Sequence, residues 1–349
     1  MARRWLGFGG SRRELRDVEL EQVYRMRRAH VVPVRQPLAL VSQVNRSGGT
    51  LLAQLFSGHP QCHVHPGEIQ IGFPSKEEWP DFDLGDAPER WFAMLLEKRI
   101  GHYAREGFIK VPERLRGSYA TSEISHPFLF VPSLQRQIFD DCIAAQPPRS
   151  QRDVIDAYMT SYFNAWLDYQ GLYAPGVRWV VGFVPRLASR PDSLERFFRD
   201  YPDGRLISIV RDPRSWFVSW QRKKPEERQT PETGLPRWKA SAQAMLDNKR
   251  RFGERVRLLR FDRLLQQTEA SMRSLAAWLG IEFHEILTRP TFQSIEIRAN
   301  SSDRVERTGI LDAPLLRSGQ LPEAHVEAIR AEAGDLYARV LAAVDREGG

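Results

Sequence analysis

Two short clusters of residues in this chain have types and spacing suited to holding an anion. The first is Arg46-Ser47-Gly48-Gly49-Thr50, a cation, two hydroxyls and two glycines in a row. The second begins at Arg211 and runs through Asp212, Pro213 and Ser215 to Ser219. Guanidinium, hydroxyl and exposed backbone N–H groups together make a set of donors, which suits phosphate or sulfate. A triphosphate is a poor fit. Ending a GxxxxGK[ST] template on Thr50 puts Gly48 on its second Gly, but Gln43 on the first and Gly49 on the Lys. That Lys reaches the β- and γ-phosphates, and a loop without it lacks the usual grip on ATP.

The flanking elements position both clusters. The apolar run Leu38 to Val41 reads as a short buried strand, and helical spacing resumes at Leu51, Leu52, Leu55 and Phe56. Strand, Gly-containing turn and helix in that order aim several N–H groups and a helix dipole at one anion. Downstream, Leu206 to Val210 reads as a second strand. Asp212 is placed to cap the following helix and Pro213 suits its first turn. Ser215 and Ser219 then lie one turn apart, so Ser219 and Arg211 are expected to converge on one phosphate.

Taken together, the two clusters resemble those of sulfotransferases using 3′-phosphoadenosine 5′-phosphosulfate (PAPS). That family opens with a strand, then [Arg/Lys]-Ser-Gly-[Thr/Ser/Gly]-[Thr/Ser], then a helix, matched here by Arg46 to Thr50. Its second signature is a strand ending in an Arg with a Ser in the following helix, matched by Arg211 and Ser219 within GRLISIVRDPRSWFVSW. The resemblance covers roughly residues 37–290. It implies PAPS as cofactor, with Arg46, Ser47, Gly48, Gly49, Thr50, Leu51, Arg211 and Ser219 around it. It also implies a three-layer α/β/α fold with a mainly parallel central sheet. Asp262, Arg186 and Ser301 are further candidates for the cofactor end.

Sulfuryl transfer also needs a base for the acceptor's proton. Cytosolic members of the family use a His within Lys-Thr-His-Leu-Pro. The matching stretch here is Val181-Gly182-Phe183-Val184-Pro185, which has neither His nor Lys. Other branches, bacterial and Golgi-type, include tyrosylprotein sulfotransferases with a Glu downstream of a His-Pro. Here His59-Pro60 leads to Gly67-Glu68, making Glu68 the candidate base, with His65 and His63 as understudies. Arg46 is the candidate catalytic cation, its charge aimed at the sulfonate and leaving oxygen. HxH spacing without further ligands gives no metal site. Glu113, Glu123 and His126 read as solvated loop residues.

Composition frames these readings. The chain has 349 residues, 42% of them hydrophobic, enough for one large α/β core. We expect a basic N-terminal extension over 1–36 and a single domain over 37–349. Net charge is +7, carried almost wholly by Arg, since only seven of the 51 basic residues are Lys. That excess suits a cleft for a multiply charged cofactor, or simply a solvated basic surface. No helix-turn-helix, zinc finger or RNA-recognition motif is visible, so nucleic acid is not an expected partner. No apolar run approaches the roughly 20 residues that span a bilayer. Cys62 and Cys142 offer neither a disulfide framework nor CxxC spacing, and a reduced cytoplasm is expected. The expected partner is an acceptor bearing a hydroxyl (carbohydrate, lipid-linked or small molecule), with a homodimer left open. The rival readings are a P-loop kinase and a non-catalytic Arg-rich binding protein.

Residues 11–30 read as a charged helix with a thin apolar stripe through Leu15, Val18, Val23 and Met26, and Val31 to Pro37 as a linker. His59 to Phe82 reads as an irregular surface loop. Residues 88–105 and Val131 to Ala145 read as helices, and Asp153 to Gly171 as a long aromatic-rich helix. Arg178 to Phe183 reads as a strand, Asp192 to Asp200 as a helix, and Lys223 to Pro236 as a polar loop over the cofactor. The helices Trp238 to Phe252, Leu264 to Leu279 and Pro322 to Val344, the strand Arg255 to Arg260, and an irregular stretch at Asn300-Ser301-Ser302 complete the reading.

Overall fold

Four apolar runs of strand length, separated by helical stretches, are collected side by side in one sheet. The computed structural model describes residues 12–69, 78–96, 128–222, 230–297, 310, 319 and 321–347. Its strands are β1 Leu38–Val41, β2 Cys62–Glu68, β3 Trp179–Phe183, β4 Arg205–Val210 and β5 Val256–Arg260. They stand in the order β2-β3-β1-β4-β5 with every neighbouring pair parallel. A parallel sheet needs cover on both faces, and alternation along the strands supplies it. Leu38, Leu40, Val180, Leu206, Val256 and Leu258 feed one apolar cluster. Ala39, Val41, Val181, Ile207, Ile209 and Leu259 feed the other. Helices on the two faces complete a three-layer α/β/α arrangement.

The helices among the described residues are α1 Arg12–Ala29, α2 Gly49–Phe56, α3 Pro88–Leu95, α4 Pro132–Ala145, α5 Gln151–Ala165 and α6 Pro191–Asp200. They continue with α7 Pro213–Gln221, α8 Pro231–Phe252, α9 Phe261–Gln266, α10 Thr268–Leu279 and α11 Glu323–Asp345. From β1 the chain goes on to build β2 and β3 on one side of the sheet. It then crosses to β4 and β5 on the other. Ligands of open α/β sheets bind outside the C-terminal strand ends at such a switch point. The loop after β1 and the Arg after β4 both lie there.

Several local expectations need correction. The expected helix Leu264 to Leu279 breaks at Gln267 into α9 and α10, and that over 88–105 ends at Leu95, with 97–105 outside the described residues. Within the expected loop His59 to Phe82, Cys62–Glu68 is an edge strand. An edge strand pairs on one side only and tolerates Pro66, so its pattern is not that of a buried strand. The aromatic helix stops at Ala165, with Trp166 extended, rather than running to Gly171. Residues 231–236 belong to helix α8: Thr230 caps it in a capping box with Thr233, Pro231 opens the helix and Pro236 lies inside it. Burial of Leu235 and Trp238 outweighs the proline's local penalty. The segment 31–37 is not a loose linker, because Asn164 and Thr160 of α5 hydrogen-bond the backbone at Val32 and Val34. In α1, Val23 and Met26 face solvent, and Tyr24, Arg27 and Arg28 make the contacts to the body. The side chains of Leu15 and Val18, residues 223–229, and Glu113, Glu123, His126 and Asn300 to Ser302 lie outside the described residues.

Candidate active site

The anion-binding loop is anchored by side chains from helices α7 and α8 and from the residue that follows β4. Val44 N donates to Ser241 Oγ at 2.9 Å, and Trp216 Nε1 donates to the Asn45 carbonyl at 2.8 Å. Arg211 Nη1 donates to the Arg46 carbonyl at 2.9 Å. With those anchors the loop keeps Arg46 and Gly48 in left-handed backbone, φ 74° and 98°. Left-handed residues of this kind turn successive N–H groups toward one concavity, an anion nest at the start of α2. At Gly48 a Cβ would also fall 2.5 Å from the Phe261 ring, so the position is closed to any side chain. Gly49 is closed too, although its backbone is helical. A Cβ there would fall 2.2 Å from Gln43 Nε2 and 2.4 Å from the Phe183 ring. A lysine at position 49 has no room in this arrangement.

Each expected site residue can now be located. Ser47 is buried at the loop's base and Thr50 is half-buried one residue into the helix. Leu51 buries its side chain in the core, leaving its backbone N–H as its contribution to a ligand. Arg46 donates through Nε to Ser219 Oγ at 3.1 Å. Burial lowers the Arg46 pKa from its ordinary value, though an Arg stays charged throughout the biological range. Asp212 caps α7 by accepting from Ser215 N, with Pro213 in the first turn. Arg211 is buried and donates through Nε and Nη2 to Ser215 Oγ at 3.1 and 3.0 Å. Its guanidinium sits 4.7 Å from the Phe261 ring centroid.

Ser215 holds Arg211, and Ser219 holds Arg46. One turn of α7 separates the two hydroxyls, and the two arginines are joined at the Arg46 carbonyl. Phe261 and Trp216 are site-forming residues that the sequence reading missed. Neither carries a local signal, since each acts through contacts far away in sequence. Asp262, a candidate for the cofactor end, is ion-paired with Arg260 at 2.5 Å. Arg186 takes left-handed backbone, φ 70°, and its N–H donates to the Gln43 carbonyl at 3.2 Å. Ser301 lies outside the described residues.

On the other flank, Glu68 is the last residue of β2 and pairs with Phe183. The stretch Val64 to Glu68 runs against only Val181 to Phe183, so Pro66 and Gly67 form a bulge. That bulge is what sets Glu68 beside Phe183 at the end of β3. His65 is buried, stacks on Tyr162 at 4.9 Å and approaches the Gly67 backbone through Nδ1. It lines a narrow pocket of about 20 Å³ with Thr50, Gln54, Pro66, Gly67 and Phe183. His63 is buried against Phe163 and Tyr169 and hydrogen-bonds with the Tyr169 hydroxyl at 3.0 Å. Burial pushes its pKa down to about 4, so it stays a neutral core group at physiological pH. Tyr158, Tyr162, Phe163 and Trp166 are core residues.

Cys62 and Cys142 are both free thiols, and burial raises the pKa of each. Among the described residues no group of three His, Cys, Asp or Glu side chains is placed to hold a metal. Also among them, no helix is long and apolar enough to cross a membrane.

A model of the sulfotransferase family matches residues 37–285. No curated protein sequence matches the chain. Among solved structures, the chain is similar to the sulfotransferase domain of the curacin biosynthetic pathway. Identity there is 19% over 87% of this chain and 99% of that one, with a TM-score of 0.49. The sulfotransferase domain of the Synechococcus PCC 7002 olefin synthase gives 17% over 87% and 96%, with a TM-score of 0.44. A sulfotransferase from Alicyclobacillus acidocaldarius gives 14% over 85% and 96%, with a TM-score of 0.39.

Proposed function

Because the chain belongs to the sulfotransferase family, its reaction is sulfuryl transfer, and we propose that PAPS is the donor and a hydroxyl the acceptor. The observation that carries the donor assignment is the meeting of two anion-handling groups on one rim. The loop of Arg46 to Thr50 and the Arg211–Ser215–Ser219 set are joined by two hydrogen bonds, through the Arg46 carbonyl and the Arg46 side chain. PAPS carries two separate anionic groups, a 5′-phosphosulfate and a 3′-phosphate, and so needs two such subsites at a fixed distance. In this reading the loop amides and the Ser47 and Thr50 hydroxyls take the 5′-phosphate. Arg211 and Ser219 take the 3′-phosphate. A nucleoside triphosphate kinase is disfavoured, since the phosphate-binding Lys is missing and the space for it at Gly49 is filled by Gln43 and Phe183.

The chemistry of the chain's own residues follows from that placement. The acceptor oxygen bonds to sulfur while the bond from sulfur to the 5′-phosphate oxygen breaks. The acceptor's proton goes to a base, and 3′-phosphoadenosine 5′-phosphate (PAP) leaves. Arg46 and the loop donors stabilise the charge gathering on the leaving phosphate. Glu68 is our candidate base, on the flank of the sheet away from Arg211, with His65 as the alternative. The acceptor is a carbohydrate, lipid-linked or small-molecule alcohol. We further read residues 37–349 as one domain with 1–36 as a basic extension, working in the cytoplasm, with self-association into a dimer as a testable accompaniment. Calorimetry with PAP in metal-free buffer, against Mg-ATP, tests the donor assignment.

A further inference from the structure

Gln43 stands at the first residue position of the anion-binding loop and is 1% exposed. Its backbone is fixed on both sides, by Arg186 N on its own carbonyl and by Ser241 on the next N–H. Its side-chain amide is a different matter. Neither Nε2 nor Oε1 has a hydrogen-bond partner among the described residues. Burying a carboxamide with both ends unmet is unfavourable, and such groups in a native fold usually await a ligand or a water. Packing locates this amide closely. A Cβ built on Gly49 would meet Gln43 Nε2 and the Phe183 ring together, so the amide lies against the first turn of α2 on the side of β3.

The order of the strands then decides which part of the donor it faces. Across the rim run β2 with Glu68, β3 with Phe183, β1 with the loop, and β4 with Arg211. If β4 takes the 3′-phosphate and the loop the 5′-phosphate, the sulfonate projects toward β3 and β2. Arg46 is drawn the other way, toward Ser219 on α7. Among the described residues, the buried polar group without a partner on the sulfonate's side of Gly49 is the Gln43 amide. We propose that Gln43 is a sulfonate-contacting residue, its Nε2 donating to a sulfonate oxygen of the bound donor during transfer. The terminal amide torsion is broad, so the group can turn to the ligand without moving its backbone. This inference rests on the PAPS reading above.

The test compares PAP, which lacks the sulfonate, with PAPS, which has it. The variants are Gln43→Leu and the nearly isosteric Gln43→Glu, which keeps the test open should the Leu variant not fold. Binding is measured by calorimetry and turnover as release of sulfate from radiolabelled PAPS by water. In that reaction the water oxygen bonds to sulfur, the bond from sulfur to phosphate oxygen breaks, and PAP and sulfate result. We expect PAP affinity within about twofold of wild type for Gln43→Leu, PAPS affinity about tenfold weaker, and sulfate release slower by about 10²-fold. Gln43→Glu should discriminate more strongly, because its charge opposes the sulfonate. Equal losses for PAP and PAPS would assign Gln43 a purely structural role and overturn the inference. So would unchanged binding and turnover, the result expected if a buried water satisfies the amide. Wild-type protein that binds neither ligand would instead overturn the PAPS reading itself, and the inference with it.

Discussion

Arg46 and Ser219, 173 residues apart in sequence, are joined by a 3.1 Å hydrogen bond in which the guanidinium Nε donates to the hydroxyl. The Ser219 hydroxyl therefore accepts from Arg46 and keeps its own hydrogen to donate. A phosphate bound beside α7 could take that hydrogen while Arg46 stays in place. Because Arg211 also grips the Arg46 carbonyl, the loop residue and the two α7 hydroxyls form one hydrogen-bonded unit. Occupancy of one anion subsite should then be felt at the other.

Substitutions in this unit should separate binding from chemistry. If Arg211 holds the 3′-phosphate as proposed, Arg211→Ala should weaken PAP affinity by on the order of 2–4 kcal/mol. Arg46→Ala should depress turnover more than PAP affinity, since its charge serves the leaving oxygen in the transition state. Ser219→Ala should show a milder loss of both. Calorimetry for PAP and initial rates for PAPS check this. If Arg46→Ala and Arg211→Ala reduced PAP affinity equally with turnover intact, the division of roles would be wrong.

The base is the second prediction. Glu68 ends β2 opposite Phe183, on the flank where we place the acceptor hydroxyl. Glu68→Gln should lose roughly 10²–10⁴-fold in turnover while keeping PAP affinity and melting temperature near wild type. His65→Asn provides the contrast. Activity retained in Glu68→Gln but lost in His65→Asn would move the role to the histidine.

A third prediction concerns stability rather than catalysis. Asp156 of α5 is buried, and burial pushes its pKa up from 3.8 to about 6, against the opposing hydrogen bonds from Tyr201 and Arg152. The folded carboxyl thus holds its proton through a window in which the unfolded one has lost it. The folded state binds more protons there, so this group's contribution falls as pH rises from about 4 to about 6. Asp156→Asn keeps an acceptor for Tyr201 and removes the titration. Its melting temperature should gain on wild type as pH rises across that window. A constant difference between the two proteins would show that Asp156 does not titrate there.

Much of the fold was legible because its strands and helices follow local rules. Leu38–Val41, the strand before Arg211, the Asp212 cap and the left-handed Gly280 at the end of α10 all stand where spacing and capping place them. The edge strand β2 was hidden by Pro66 and Gly67, whose loop-like character is real but local to a bulge. Helix α8 was hidden by Pro236, where tertiary burial wins over propensity. Within the site, the residue types were readable but not their partners. The spacing placed Arg211 and Ser219 in one region, yet it concealed that Ser215 holds one arginine and Ser219 the other. The closeness of Phe261 to Gly48 and of Gln43 to Gly49 arises from packing between distant segments, which no local pattern encodes.

The central claim is that the two subsites on this rim form a PAPS site, and its most direct test is titration calorimetry with PAP. The account predicts binding at a single site in metal-free buffer containing a chelator, with Mg-ATP giving no comparable heat. Tight binding of Mg-ATP with none of PAP would contradict it.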